Sequence, residues 1–411
     1  MARTIITALD IGTTAVVTVV AERGSEGGNL RILGVGRAPS AGVRRGAVVD
    51  IADAADAVRA SVDAARRASG VAIRSVWLAV DGAHISVSSS RGVVAVSRAD
   101  QEISPEDVRR ALAAAETFVA KNTNKEILHM IPRDFKVDRE VGVKDPVGMH
   151  GVRLEVDALI IECSAPYLKN LLKCVEASDL RVEDYVFAPL AAAETVLSKR
   201  QKELGVMLVD IGGGASSFIV FEEGVAVHAG VVPIGGNHIT GDVAIGFRAH
   251  VDIAERIKHA YGSCLVGDLP KRDQIRLAEF VPESTETYSR RELVEIIGAR
   301  LQDLFELLQK ELRKINRVRL LPAGVVLVGG SSLISGLAEL TRREIGLPAE
   351  QGMPQGFEPT LDEQDGPPLA AALGVARWAS EKRQHRADQW GAYMSHISAR
   401  PWMRWLRALI P

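Results

Sequence analysis

The sequence predicts an α/β protein of two duplicated lobes facing each other across a cleft, and three glycine-bearing stretches carry that expectation. In Val206–Val220 an apolar run too short for a helix delivers Asp210 to a strand end. Gly212, Gly213 and Gly214 follow at once, and Phe218–Phe221 restarts the strand pattern, which describes a β-hairpin. Glycines at such a bend permit positive φ and close approach of a ligand to the backbone. Successive N–H groups there form an anion nest suited to phosphates. Taken alone, the stretch serves equally well as a structural turn. Ile5–Val20 repeats the design, with Asp10-Ile11-Gly12, then Thr13 and Thr14, then a second apolar strand. In Gly324–Gly336, strand Val325–Val328 leads into Gly329-Gly330-Ser331-Ser332 and an apolar helix start, a turn that suits a nucleoside or phosphate. Two Asp-Ile-Gly hairpins half a chain apart suggest a duplicated domain closing on a nucleotide. Asp10 and Asp210 then stand where carboxylates hold Mg²⁺ through its retained waters. Neither hairpin is a P-loop or a dinucleotide fingerprint.

Composition sets bounds without choosing a function. The 411 residues allow two or more domains, and 47% hydrophobic with 25% charged residues is ordinary for a soluble globular chain. A net charge of −2 gives no reason to expect nucleic acid as a partner. Cys163, Cys174 and Cys264 form no C-x-x-C and are expected to be buried thiols of a reducing cytosol. Asp10 and Gly12 interrupt the N-terminal apolar run, so it does not read as a signal peptide. No stretch approaches the roughly 20 apolar residues of a membrane span, and the body is expected to be cytoplasmic.

Along the chain, Leu30–Arg37 reads as a third strand and Ser40–Val49 as a loop. Ala54, Ala55, Val58, Val62 and Ala65 put an apolar face on a helix over Ile51–Ala68, and Ser75–Val80 is a buried strand. From about Ala83 to Ser164 the pattern changes. Short strands at Ile85–Ser88 and Gly92–Val96, a helix opened by Ser104-Pro105-Glu106, and strands at His129–Val137, Pro146–Val152 and Val156–Glu162 describe an inserted α+β module. His129 and His150 lack ligand-spaced partners and read as structural or surface residues. The α/β pattern resumes with helix Tyr167–Ala177, strand Val182–Val186 and the small-residue helix Ala188–Leu197.

The second half repeats the plan. Helices Ile239–Phe247 and Asp252–Tyr261 follow Gly235-Gly236-Asn237-His238, and Glu255 and Lys258 lie one turn apart as either a surface pair or a ribose–adenine contact. A long amphipathic helix over Arg290–Leu320 is ended by Pro322, and Pro367-Pro368 opens a last helix, Leu369–Ala379. Glu381–Ser395 loses periodicity and reads as a linker. In Ser398–Pro411, helical spacing puts Trp402, Trp405, Leu406, Leu409 and Ile410 on one face flanked by Arg400, Arg404 and Arg407. Such a helix either docks back on its own core or lies in a membrane surface; arginines beside interfacial tryptophans favour the second.

The order of motifs resembles the actin, sugar-kinase and heat-shock-chaperone ATPase superfamily. Asp10, Gly12, Thr13 and Thr14 match its first phosphate loop, Asp210, Gly212, Gly213, Gly214 and Ala215 its second, and Gly329, Gly330 and Ser331 its adenosine loop. Within it, the insertion with His129-Met130-Ile131-Pro132 and Asp145–Leu154, together with the amphipathic tail, resembles the FtsA family of bacterial division proteins. The resemblance implies an actin-like protein that binds ATP and Mg²⁺, polymerises beneath the cytoplasmic membrane at the division site and tethers FtsZ there. It divides the chain into lobe 1 core (1A, 1–83 and 165–200), insertion 1C (84–164), lobe 2 core (2A, 201–250 and 320–380), subdomain 2B (251–319), linker (381–397) and membrane helix (398–411). It places later division proteins on 1C and the FtsZ C-terminal peptide on 2B, where Arg290 and Arg300 match the basic contacts; either arginine equally fits a solvated helix face.

Two departures from the resemblance stand out. Ala215-Ser216-Ser217 replaces the usual Thr and Asp, so hydroxyls remain for phosphate while a carboxylate is gone. Ala188-Pro189 lies where heat-shock chaperones carry a Glu-Pro whose carboxylate supports hydrolysis. Asp210, with Asp10 assisting the metal, is left to orient water. General-base help is worth about 10²–10⁴-fold, so hydrolysis is expected to be slow and ATP to act mainly as a clamp. The competing classes are a metabolite kinase of the same superfamily, which has no use for the tail, a chaperone-type ATPase, which would need a peptide-binding domain, and a rod-shape or pilus-assembly ATPase.

Overall fold

The computed structural model describes residues 4–24, 28–118, 124–265, 267, 273–282 and 284–398, with backbone alone for 118 and 385–398. The tail residues Arg400, Trp402, Arg404, Trp405, Leu406, Arg407, Leu409 and Ile410 lie outside the described residues.

Lobe 1 begins with the first Asp-Gly hairpin, β1 (Thr4–Ile11) and β2 (Ala15–Arg23), paired from Thr4↔Arg23 to Ile11↔Val16. β3 (Leu30–Pro39) continues the antiparallel sheet. The expected loop after it holds a tiny hairpin, β4 (Val43–Arg44) and β5 (Ala47–Val48), closed by Arg45 and Gly46 at positive φ. Helix α1 (Ile51–Ser69) is capped by the Asp50 carboxylate, which accepts the N–H groups of Ala52 and Asp53. It seats directly on β3 because residue 36 is glycine: a Cβ there would lie 1.9 Å from the Ser61 carbonyl oxygen. β6 (Ser75–Val80) runs parallel to β1.

The insertion has its own sheet and core. β7 (Ile85–Ala95), α2 (Pro105–Phe118), β8 (Lys125–Val137), β9 (Glu140–Val143) and β10 (Arg153–Ser164) give strand order β7-β10-β8-β9. Ile103, Ala111, Phe135, Val137, Leu154 and Val156 are buried between sheet and α2. Where two short strands were expected, β7 is continuous through Gly92, which packs on α2 rather than breaking the strand. Pro146–Val152 is no strand; Gly148 at φ 84 turns the chain, leaving one bridge between His150 and Glu102. The module also leans on lobe 2, through Arg133 to the Val227 carbonyl (3.1 Å) and Lys144 to Glu223 (2.8 Å).

α3 (Ala165–Glu176), β11 (Arg181–Phe187), α4 (Ala188–Val196) and α5 (Lys199–Leu204) complete lobe 1 and lead out of it. Lobe 2 follows with β12 (Val206–Ile211), β13 (Ser216–Glu222), β14 (Val225–Val232), α6 (Gly236–Gly246) and α7 (Val251–Tyr261). Then come β15 (Gln274–Arg276), β16 (Thr287–Ser289), α8 (Arg290–Lys314), β17 (Val325–Val328), α9 (Leu337–Ile345) and β18 (Ala349–Gln351). Its sheet order, β14-β13-β12-β17-β18, repeats β3-β2-β1-β6-β11 of lobe 1 strand for strand. The duplication is therefore architectural. Helix α8 stops at Lys314, not Leu320, because Asn316 and Arg319 take positive φ and turn the chain before Pro322 is reached.

The chain's end corrects two expected boundaries. β19 (Phe357–Glu358) pairs with β3, so the chain has re-entered lobe 1 well before residue 380. Helix α10 (Ala370–Ser398) then packs on lobe 1, its Leu373, Val375, Ala376 and Ala379 buried with Ile6, Ala8, Val19, Trp77 and Ala191. Small residues allow this seat: a Cβ on Gly374 would fall 2.3 Å from the Ala191 backbone. The segment 381–397 is helix rather than linker. Its Glu, Lys, Arg, Gln and Ala residues are strong helix formers even without an apolar stripe. Its first turn is pinned by Lys382 to Asp184 and Arg383 to Glu183, both at 2.6 Å.

Candidate functional site

The two Asp-Gly hairpins meet tip to tip at the cleft. Each turn closes on itself, Gly12 N–H to Ala15 O (3.0 Å) and Gly212 N–H to Ala215 O (3.1 Å). Across the gap the Thr14 hydroxyl donates to Asn237 Oδ1 (3.4 Å), while within lobe 1 the Thr13 hydroxyl accepts from the Gly46 N–H (3.0 Å). The glycines are needed for this approach: a Cβ on Gly213 would sit 1.9 Å from Thr14 Oγ1, and one on Gly214 2.6 Å from Thr13 Oγ1. The start of α6 closes the third side, with Gly236 N–H on Gly212 O and Asn237 N–H on Gly213 O. Among the described residues the N–H groups of Thr13, Thr14, Gly213 and Gly214 donate to no other protein group. These are the donors an anion nest requires.

The third glycine turn packs on the second hairpin. Gly329 takes φ 86, and a Cβ there would lie 2.3 Å from Asp210 Oδ1. A Cβ on Gly236 would lie 2.5 Å from Ser331 Oγ and 3.6 Å from Lys258 Nζ, so these groups converge. Lys258 is buried and donates to Thr240 Oγ1 (2.8 Å), Glu255 Oε2 (2.7 Å) and the Gly236 carbonyl (3.3 Å). Burial pushes the Glu255 carboxyl up, but hydrogen bonds from His259, Lys258 and Thr240 prevail and hold it down to about 2. Of the two readings left open for Glu255 and Lys258, the surface pair is excluded for the lysine.

The electrostatics of the cleft centre on three carboxylates. Burial, then repulsion from Asp81, raises Asp10 to about 7. Burial raises Asp81 to about 6 against the hydrogen bonds it accepts from Ser217 and the Gly82 N–H. Asp210 is pushed well above the carboxylate range by burial and then by Asp81 and Asp10. Among the described residues no three His, Cys, Asp or Glu side chains converge as a cage for a bare metal ion. Asp81 was not anticipated, although its signal is the same: Asp81-Gly82 directly follows a buried strand, as the glycine turns follow Asp10 and Asp210. The hydroxyls expected to face phosphate are otherwise engaged. Ser216 donates to the Ile234 carbonyl (2.7 Å) and Ser217 to Asp81 Oδ2 (2.8 Å).

The raised pair sets a pH dependence with a definite sign. Between about pH 4 and 7 the native state keeps protons on Asp10 and Asp81 that the unfolded chain has released, so this pair lowers stability as pH rises. Asp81→Asn should therefore raise the melting temperature of the nucleotide-free protein at pH 7.5, with the gap over wild type closing towards pH 5. A variant that melts below wild type at pH 7.5 would contradict a destabilising buried charge at Asp81.

The remaining expected residues lie elsewhere. Arg300 makes a two-toothed ion pair with Asp242 of α6 (2.6 and 3.0 Å) and reaches Asp303. Arg290 binds Asp273 (3.0 Å) and the Tyr261 carbonyl (3.4 Å). His129 accepts the Phe187 N–H (3.0 Å) and lines a cavity of about 760 Å³ between the insertion, β11 and α10, away from the cleft. No helix of the described residues is long and apolar enough to cross a membrane.

Comparison with known proteins adds the family context. Residues 207–374 match the family model described as cell division protein FtsA, and residues 82–162 match the SHS2 domain inserted in FtsA. The chain is 35% identical to cell division protein FtsA of Pseudomonas aeruginosa, over 92% of this chain and 90% of that one. It is 37% identical to the Bacillus subtilis protein over 81% and 75%, and 32% identical to the Escherichia coli protein over 92% and 91%. Among solved structures, the PilM–PilN type IV pilus biogenesis complex superposes with a TM-score of 0.66 at 18% identity, covering 90% of this chain and 97% of that one. MreB5 of Spiroplasma citri superposes with 0.53 at 14% identity, covering 93% and 98%. These distant likenesses establish the actin-like fold.

Proposed function

This chain belongs to the FtsA family of actin-like cell division proteins, and from that premise we propose that it binds Mg·ATP between its lobes, assembles into filaments beneath the cytoplasmic membrane and holds FtsZ there. The observation that carries the nucleotide reading is the convergence of three glycine turns on three mutually repelling carboxylates. The unpaired N–H groups of Thr13, Thr14, Gly213 and Gly214 would take the phosphate oxygens. Asp10 and Asp210 would hold the metal through water, and Ser331, Lys258 and Glu255 would face the nucleoside. Mg²⁺ held with the nucleotide would supply the positive charge these carboxylates lack, and the phosphates would join hairpins from both lobes. Because Ala188 brings no carboxylate, nucleotide would act chiefly as a clamp. Calorimetric titration of the full chain with ATP should show binding that strengthens with Mg²⁺; no heat in either condition would overturn this reading.

For FtsZ, α7 and α8 with Arg290 and Arg300 support docking of an acidic-containing tail peptide on 2B. Both arginines already serve intramolecular carboxylates, so charge reversal alone is ambiguous. Arg300→Glu should weaken peptide binding while sparing Mg·ATP. Asp242→Asn, which removes one of the two carboxylates that Arg300 pairs with, should preserve or strengthen it. Equal peptide affinity for wild type and Arg300→Glu would remove that residue from the interface. Later division proteins are assigned to the insertion by family position alone.

A further inference from the structure

Two side-chain hydrogen bonds bridge the cleft among the described residues, Thr14 to Asn237 and the stronger Ser217 to Asp81. Ser217 sits on β13 in register with Asp210, so its partner stands beside the centre of the second hairpin. Asp81 directly follows Val80, the last residue of β6, and Ala188 directly follows Phe187, the β11 residue with which Val80 pairs. Ser217, within the stretch that lacks the usual Asp, and Ala188, where the chaperone carboxylate is missing, thus lie at the ends of elements that meet at the one carboxylate nothing in those motifs anticipates. Asp81 is fixed as well as close: its Oδ1 accepts the Gly82 N–H at 2.7 Å, and Gly82 and Gly46 pack so tightly that a Cβ on Gly46 would lie 2.5 Å from Gly82 Cα. Gly46 in turn holds Thr13 of the first phosphate hairpin.

We propose that Asp81 is a positioning residue of the nucleotide site that takes the place of both missing carboxylates. It would orient metal-bound water from the lobe 1 side, while its bond to Ser217 ties that charge to closure of the lobes. The inference rests on the Mg·ATP reading above. A carboxylate–hydroxyl pair across a cleft holds one negative charge whichever lobe supplies it. Loss at residue 217 is therefore made good from residue 81 without changing the charge of the closed site.

The test is calorimetry on the full-length chain, titrating ATP with Mg²⁺ and, separately, ATP with EDTA. Asp81→Asn keeps an acceptor for Ser217 but removes the charge. It should weaken Mg·ATP binding by about tenfold, or about 1.4 kcal/mol, and strengthen metal-free ATP binding, because repulsion of the phosphates is relieved. Ser217→Ala keeps the charge and should weaken Mg·ATP by roughly fivefold, the loss of one hydrogen bond. Asp81→Ser should behave like Asp81→Asn, and adding Ser217→Asp to it should restore the metal dependence. The exchange variant retains both the charge and the hydrogen bond, so it remains informative if a single variant folds poorly. Unchanged Mg·ATP affinity in Asp81→Asn, equal loss with and without metal, or no rescue by the exchange would each overturn the proposal. Wild-type protein that binds no Mg·ATP would remove the underlying nucleotide reading instead, and this inference with it.

Discussion

Replacing Gly213 by valine should all but abolish Mg·ATP binding while leaving the lobes folded. A Cβ at this position would sit 1.9 Å from Thr14 Oγ1 and 3.2 Å from Asn237 Oδ1, inside the contact that joins the two hairpins. The Thr14 hydroxyl can turn aside, but Thr14 Cβ lies 3.2 Å from the same point, so the γ-methyl groups of valine would push the tips apart. A misplacement of about 1 Å costs about 10²-fold in rate where reacting groups must align, and phosphates gripped from both tips should lose affinity on that scale. The cores lie behind the strands, built from Leu9, Leu78 and Leu208 in one cluster and Val209, Phe218 and Leu327 in the other, and do not depend on the tips. The melting temperature without nucleotide should therefore move little. Calorimetry decides the matter: a variant with near-wild-type Mg·ATP affinity would show that phosphates do not lie between these turns.

The tail carries the second large effect. Fully burying a large apolar side chain is worth about 1.5–3 kcal/mol, and an interfacial helix buries its face only in part. Trp402, Trp405, Leu406, Leu409 and Ile410 together would then supply on the order of 5 kcal/mol before the cost of folding the helix. Arg400, Arg404 and Arg407 near anionic lipid add about 1 kcal/mol each. Such a sum corresponds to micromolar, reversible binding, which a filament presenting many tails multiplies by avidity. Trp402→Glu with Leu406→Glu should release the protein from anionic vesicles, and high salt should weaken wild-type binding. A double variant that still sediments with vesicles like wild type would exclude this helix as the anchor.

What the sequence made legible follows from which forces act locally. The Asp-Gly hairpins were readable because strand periodicity, the acid at the strand end and the glycine turn all lie within fifteen residues. The architecture around them then followed from duplication. Asp81 was hidden because its importance comes from Ser217, 136 residues away, and from two carboxylates on other strands. The return of β19 and α10 to lobe 1 was equally non-local. An Ala- and Gly-rich helix can seat closely on any small-residue partner, and only the fold selects α4. Residues 381–397 read as linker because they carry no apolar stripe, whereas intrinsic propensity continues the helix without one. Arg290 and Arg300 stood out as basic positions, but the acids that occupy them, Asp273 and Asp242, lie on other segments.

The central claim is that nucleotide held between the two hairpins drives assembly on a membrane. Electron microscopy of the full chain on an anionic lipid monolayer tests it most directly, with Mg·ATP, with ATP and EDTA, and with Mg·ATP added to Gly213→Val. The account predicts ordered filaments on the lipid in the first condition and none in the other two. Filaments of equal abundance in all three conditions would contradict it.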